Sequence, residues 1–305
     1  MLTKNYLAIY AKSFNWAGFF LPKQTYKKCS ALYDFCREAD NIADDENKIE
    51  VKRENFIKFR NNFLNKNYDD PVIKNMWDLI YEFSISTKIV DDLFEGINSD
   101  IEENVQINSK KELLVYSYRV AGTVGLMMAK ILNVHKVQSL KSAIDLGIAM
   151  QLTNISRDVM EDKKNNRFYI NESFEEIKNT IKLSDQFYKN SFYSIKEIPL
   201  SFRFSILVAR RVYRKIGYKI LNKQNIENYK KSGKIYVSNI EKIIETFLSI
   251  FDWIKLSLIS KNDDNINHDH NLINEEINLN ERIWLHNYRW RLCRSFIGIW
   301  AGSLW

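Results

Sequence analysis

The segment Ala143–Asp162, AIDLGIAMQLTNISRDVMED, constrains the chain more than any other. Its first half is apolar on nearly every side, with Ile144, Leu146, Ile148, Ala149, Met150, Leu152 and Ile155 leaving no polar stripe for solvent. A helix that is apolar all round is a buried helix. Yet Gln151, Asn154, Asp158 and Asp162 follow one another at intervals of 3, 4 and 4, which puts all four on one face. Polar groups carried into a core cost free energy unless they find partners, and carboxylates cost most. The pattern predicts an internal polar cavity that holds a cation.

A second segment, Ala31–Asp45, has the same design. Leu32, Phe35, Ala39 and Ile42 form an apolar stripe, while Tyr33, Arg37, Asp40 and Asp44 run along one face at intervals of 4, 3 and 4. Two helices thus each offer an aspartate pair one turn apart, Asp40/Asp44 and Asp158/Asp162, each with an arginine, Arg37 or Arg157, on or beside the row. A single D-x-x-x-D is a weak signal, since most lie on solvated faces; two mirrored rows, one on a buried helix, are far more specific.

The remainder of the chain reads as helices. Among 305 residues there are 9 Gly and 3 Pro, and each Pro falls between periodic segments, which favours long uninterrupted helices. No alternating apolar runs joined by Asn-Gly or Asp-Gly are present. The expectation is an all-α fold: one large helical domain over residues 1–260, a polar linker over 261–281 and an aromatic, basic tail over 282–305. Within the domain, residues 86–104 read as a helix broken near Gly96. Residues 109–132 open on a Ser109/Glu112 capping box and contain Gly122 and Gly125, which mark a kink, or room for a close neighbour or a ligand. His268 and His270 sit in the polar linker and read as solvated.

Composition narrows the function classes. Three cysteines make no disulfide framework and suit a reducing cytoplasm. No signal peptide and no apolar run of membrane-spanning length is visible. A net charge of +7 suits anionic partners, a diphosphate or a lipid surface, or simply a soluble face. The basic residues are dispersed rather than clustered, which argues against nucleic acid. The tail interleaves Trp284, Trp290, Trp300 and Trp305 with Arg282, Arg289, Arg291 and Arg294, the composition of either a peripheral membrane anchor or a helix packed on the domain.

The ligand types select the metal. All the candidate ligands are oxygens, which suit Mg²⁺, or Mn²⁺, rather than Zn²⁺. Carboxylates repel a diphosphate and hold it through a bridging cation, while Arg and Lys take further phosphate oxygens. The two rows therefore imply diphosphate binding, with Mg²⁺ stabilising a departing diphosphate.

These segments, together with SFNWAGFFLP, YSYRVAGTVGLM, LFEGINSDIEE and the pair VYRKIG and GKIYVS, resemble the squalene/phytoene synthases over roughly residues 5–250. The resemblance implies the isoprenoid synthase fold and head-to-head joining of two prenyl diphosphates through a cyclopropyl diphosphate. The segments look closest to bacterial phytoene synthases, which use geranylgeranyl diphosphate, have no need of NADPH and serve carotenoid synthesis. A squalene or dehydrosqualene synthase acting on farnesyl diphosphate is the alternative, and a non-catalytic assembly protein of this fold would have lost acidic ligands that are all present here. By the same resemblance Asp40, Asp44, Asn154, Asp158 and Asp162 would hold Mg²⁺, and Arg37 and Arg157 would contact diphosphate. Tyr33 and Tyr116 would line the ionisation site, Gln151 would face the cavity, and Ser13 and Phe14 would belong to a flap over substrate. Ala121, Gly122, Val124 and Gly125 would border a prenyl-tail channel, and Tyr213 falls on a recurring tyrosine. Lys234 stands where the family places Arg, keeping the charge without the bidentate fork.

Overall fold

The computed structural model describes residues 6–10, 12–258 and 268–277, and these are almost entirely helical. In order they form α1 (Tyr6–Tyr10), α2 (Lys12–Gly18), α3 (Lys23–Asp44), α4 (Ile49–Leu64), α5 (Pro71–Phe83), α6 (Thr87–Ser99), α7 (Lys110–Ser117) and α8 (Thr123–Ile131). After them come α9 (Val137–Lys164), α10 (Phe174–Asn190), α11 (Leu200–Leu221), α12 (Ile226–Lys231), α13 (Asn239–Leu258) and the short α14 (Asn274–Ile277). Start signals act as the sequence indicates. Asp70 caps α5 by accepting from the amides of Val72 at 2.8 Å and Ile73 at 3.4 Å, with Pro71 in the first turn. Ser109 caps α7 by accepting from the Glu112 amide at 3.2 Å.

The central helix is α9. It packs against α8, α10 and α11, and α8 also packs against α3, so the two aspartate helices are mounted on a shared neighbour. On the α3 side the core is aromatic: Phe35 meets Phe59 and Phe63 of α4 and Phe94 of α6 at ring separations of 5.5, 5.5 and 5.9 Å. Each ring is buried, and burying one contributes about 1.5–3 kcal/mol.

Four features depart from the sequence expectations. Helix α6 runs through Gly96 without a break, because that glycine faces the neighbouring chain: a Cβ there would lie 2.8 Å from Arg119 Cβ and from Val120. The 109–132 segment is interrupted by a π-helical turn at Tyr118–Gly122. Two-residue strands β1 (Val105–Gln106) and β2 (Arg167–Phe168) form a small parallel ladder that no periodicity marked. Part of the expected linker is folded: a 3₁₀ turn at His268–Leu272 and α14 dock on the bundle, with Ile273 and Ile277 fully buried. His270, expected to be solvated, is buried, with its Nδ1 2.7 Å from Asp145 Oδ1 on α9. The 282–305 tail lies outside the described residues.

The glycines of the π turn, α8 and α9 allow backbone-to-backbone contact. A Cβ on Gly125 would stand 2.3 Å from the Ala143 carbonyl oxygen, and one on Gly147 2.3 Å from that of Ala121. Backbone cannot yield as a side chain does. Gly147→Ala is therefore expected to destabilise the fold by roughly 1–3 kcal/mol, read as a lower urea midpoint at unchanged slope; unchanged stability would show that this contact is looser than described.

Candidate active site

The first acidic row occupies the C-terminal half of α3. Arg37 donates to Asp40 Oδ2 at 2.7 Å and stands 3.8 Å from Asp44. The Asp40 side chain is 43% accessible, and protein packed around its carboxyl partly desolvates it. Burial, then the Asp44 carboxylate, push it up to about 7 against the pull of Arg37. Tyr33, one turn earlier, is pushed well up by burial and by Tyr213, and so stays a neutral phenol.

The second row lies on the inner face of α9. Arg157 grips Asp158 with two hydrogen bonds of 2.8 and 2.5 Å, and both side chains are largely buried. Burial lowers the Arg157 pKa, but Asp158 outweighs it and holds the guanidinium firmly charged. Burial and then Asp158 push Asp162 up to about 8. Asn154 donates to Gln151 Oε1 at 3.3 Å, while its own amide oxygen is buried with no hydrogen-bond partner among the described residues. Lys234, despite replacing the expected Arg, reaches the row: its Nζ is 2.5 Å from Glu161 and 3.6 Å from Asp158.

Two residues to which the sequence gave no role join the rows. Arg167, at the start of β2, donates to Asp44 Oδ1 at 2.8 Å and to the carbonyls of Ala43 and Asp100 at 3.1 and 3.2 Å. Its charge also lowers the pKa values of Asp40, Asp100 and Asp162. Asp100 raises those of both Asp40 and Asp162, so it stands within electrostatic reach of each row. It accepts from Tyr169 at 2.6 Å and Tyr116 at 2.8 Å, and burial pushes it up to about 6 despite them. Tyr116, expected at an ionisation site, is thus a buried member of this network, its ring stacked on Tyr169 at 4.6 Å. Sequence signals for these residues existed: Arg167 and Tyr169 lie in the loop after α9, and Asp100 in the LFEGINSDIEE segment.

The other residues named from sequence distribute as follows. Phe14, next to Ser13 on α2, packs against Tyr213 of α11 with ring centroids 4.7 Å apart and tilted, and Tyr213 stands within electrostatic reach of Tyr33 and Arg157. Gly122 and Gly125 lie against α9, and the Ala121 carbonyl lies close against Gly147; close helix contact accounts for glycine at these positions. Val124 is half-buried on α8. A cavity of about 340 Å³ opens beside Asp162, Arg167 and Tyr169, reaching the rows from the β1–β2 side; the other three aspartates do not line it.

Whether this set suits Mg²⁺ is decided by its donors. Carboxyls pushed up by burial and then by their neighbours' charge, with an orphaned buried amide oxygen beside them, are groups that a hard cation relieves. Among the described residues no three acidic, His or Cys side chains are arranged to hold an ion by themselves. Mg²⁺ takes one or two carboxylates and completes its shell with water and phosphate oxygens, so a site for it here would need substrate oxygens as well.

Residues 7–175 match the squalene/phytoene synthase family. The chain belongs to that family. It is a prenyltransferase of the squalene/phytoene synthase type. Similar relatives include the 15-cis-phytoene synthase of Pantoea ananas, 27% identical over 70% of this chain and 80% of that one. The phytoene synthase of Cereibacter sphaeroides is 30% identical over 68% of each chain. A solved dehydrosqualene synthase with bound ligand superposes with a TM-score of 0.68 at 26% identity, covering 82% of this chain and 94% of that one. The squalene synthase HpnC of Alicyclobacillus acidocaldarius, at 14% identity and TM-score 0.60, shares the fold. The isoprenoid synthase architecture expected from sequence is the one observed.

The raised carboxyls give the fold a pH signature. Asp40, Asp100 and Asp162, at about 7, 6 and 8, hold protons in the folded state that an unfolded carboxyl releases near pH 4. The contribution of these three groups to stability is therefore fully present below about pH 4 and is lost progressively as pH rises to about 8. In Mg²⁺-free buffer Asp162→Asn is expected to flatten this decline between pH 6 and 8, read from urea midpoints; a slope equal to wild type would show that Asp162 ionises normally.

Proposed function

We propose that this prenyltransferase joins two geranylgeranyl diphosphates head to head, releasing diphosphate and forming phytoene. The observation that carries the reading is the pair of acidic rows joined through Arg167 and Asp100, with the unpartnered Asn154 oxygen among them. The substrate follows the phytoene synthases among the relatives. The alternative, two farnesyl diphosphates, has the dehydrosqualene synthase likeness in its favour.

Asp40, Asp44, Asn154, Asp158 and Asp162 would hold Mg²⁺, which when bound neutralises the charge of a departing diphosphate. Arg37, Arg157, Arg167 and Lys234 supply fixed cations to phosphate oxygens, so the leaving group need not be solvated by water. Tyr33 remains protonated and donates rather than attracts a proton. The apolar sides of α8, α9 and α11 shelter the prenyl tails and keep water from the allyl cation. Phe14 against Tyr213 closes one side with α2. NADPH has no part in this reading, because the reaction ends in loss of a proton. We place the enzyme in the reducing cytoplasm, consistent with the free Cys29 and Cys36, at the periphery of a membrane. Among the described residues no helix is long and apolar enough to cross a bilayer.

The test is product analysis with C15 or C20 diphosphate and Mg²⁺, with and without NADPH. A C40 hydrocarbon from the C20 substrate, independent of NADPH, is the expected result; consumption of the C15 diphosphate alone sinks the phytoene reading. Asp40→Asn and Asp158→Asn are each expected to lower kcat at least about a hundredfold.

A further inference from the structure

Helix α13, NIEKIIETFLSIFDWIKLSL, is mounted inside out. Its polar stripe faces the protein. Glu241 pairs with Lys219 of α11 at 2.7 Å, and Arg211 of α11 binds Asp252 at 2.6 Å and Glu245 at 3.2 Å. Ser249 is fully buried and Lys242 nearly so. The opposite stripe, Ile240, Ile244, Phe247, Phe251, Ile254 and Leu258, repeats at intervals of 4, 3, 4, 3 and 4 and faces outward, Ile240 72% exposed, Phe251 68% and Leu258 79%. A 20-residue helix is about 30 Å long. An apolar face of that length is far beyond the scattered exposed leucines of an ordinary surface and marks an interaction site.

Three observations identify the occupant. The outward face holds none of the helix's carboxylates, since all three are turned to α11. The segment that contacts it is basic: from Lys12 to Lys28 the chain carries four lysines and no acidic residue, with Lys12, Lys23 and Lys27 exposed. The face also continues toward the active site. Trp16 of α2 donates to Thr246 of α13 at 3.0 Å, Phe19 just after α2 is 74% exposed, and Phe14 of α2 packs against Tyr213.

We propose that the outer face of α13, with Phe19, is the surface by which this enzyme lies on an anionic lipid bilayer. The apolar stripe enters the acyl boundary and the lysines meet lipid phosphates, as in an interfacial amphipathic helix. Resting on the prenyl diphosphate reading, this puts α2 at the bilayer, where a prenyl tail enters and a hydrocarbon product, insoluble in water, departs.

The test is sedimentation of the full chain with vesicles of phosphatidylcholine alone or mixed with phosphatidylglycerol. Wild type is expected to bind the mixed vesicles more tightly, less so in high salt, and Phe247→Glu/Phe251→Glu to weaken partitioning at least about tenfold. Ile254→Glu gives a milder second variant, and circular dichroism melts with turnover in detergent micelles establish that both are folded. Variants that sediment like wild type overturn the proposal and place the membrane contact elsewhere in the chain. A wild type that ignores vesicles overturns it too; if that protein is a dimer by light scattering and the variant a monomer, the face binds a second copy. Wild type inactive in micelles with either prenyl diphosphate would count against the prenyl diphosphate reading, while sedimentation judges the α13 face independently.

Discussion

The fold is arranged around an electrostatic conflict. Asp40, Asp44, Asp100, Asp158 and Asp162 are gathered within electrostatic reach of one another, and each raises the pKa of a neighbour or has its own raised. Helix-borne arginines relieve part of this locally, Arg37 on one row and Arg157 on the other. Arg167 does something different: from outside both helices it lowers the charge density of both rows at once. Burying so many like charges would undo a marginally stable domain unless the rest of the chain held the rows apart. What holds them apart is packing: an aromatic cluster behind α3, and backbone-close glycine contacts behind α9.

The rows themselves were legible because helical spacing is a local property. Residues three and four apart share a face whatever the rest of the chain does, so Tyr33–Asp44 and Gln151–Asp162 could be read as stripes. Arg167 and Asp100 could not be placed that way. They are brought together by a two-residue parallel ladder between segments some sixty residues apart, too short to leave any period. Gly96 misled for a related reason: as a breaker it suggests a helix end, whereas its use here is to admit Arg119 and Val120, which is a tertiary matter. His270 is similar, a polar residue in a polar stretch that finds a buried carboxylate on a distant helix.

Helix α13 shows a subtler limit. Its amphipathic period is plain in the sequence, but period says only that two faces differ, not which one turns inward. The usual assumption buries the apolar face. Here the three carboxylates meet Arg211 and Lys219 across the α11 seam, and the hydrocarbon is left outside. Complementary charges on the neighbouring helix decided the orientation, and they lie more than twenty residues away.

The π turn at Tyr118–Gly122 carries a consequence for the helices on either side of it. A π turn is an α-helix that has absorbed one extra residue without ending. Each residue of an α-helix advances the azimuth by about 100°. Closing this turn to regular α geometry with every residue kept would swing everything beyond it by about that angle. Gly125 would then swing away from Ala143, and a bulky neighbour would arrive at the interhelical crossing in its place. The single surplus residue is thus the phase adjustment that lets Tyr116 aim at Asp100 while Gly125 aims at α9, a pairing that one regular helix would not provide.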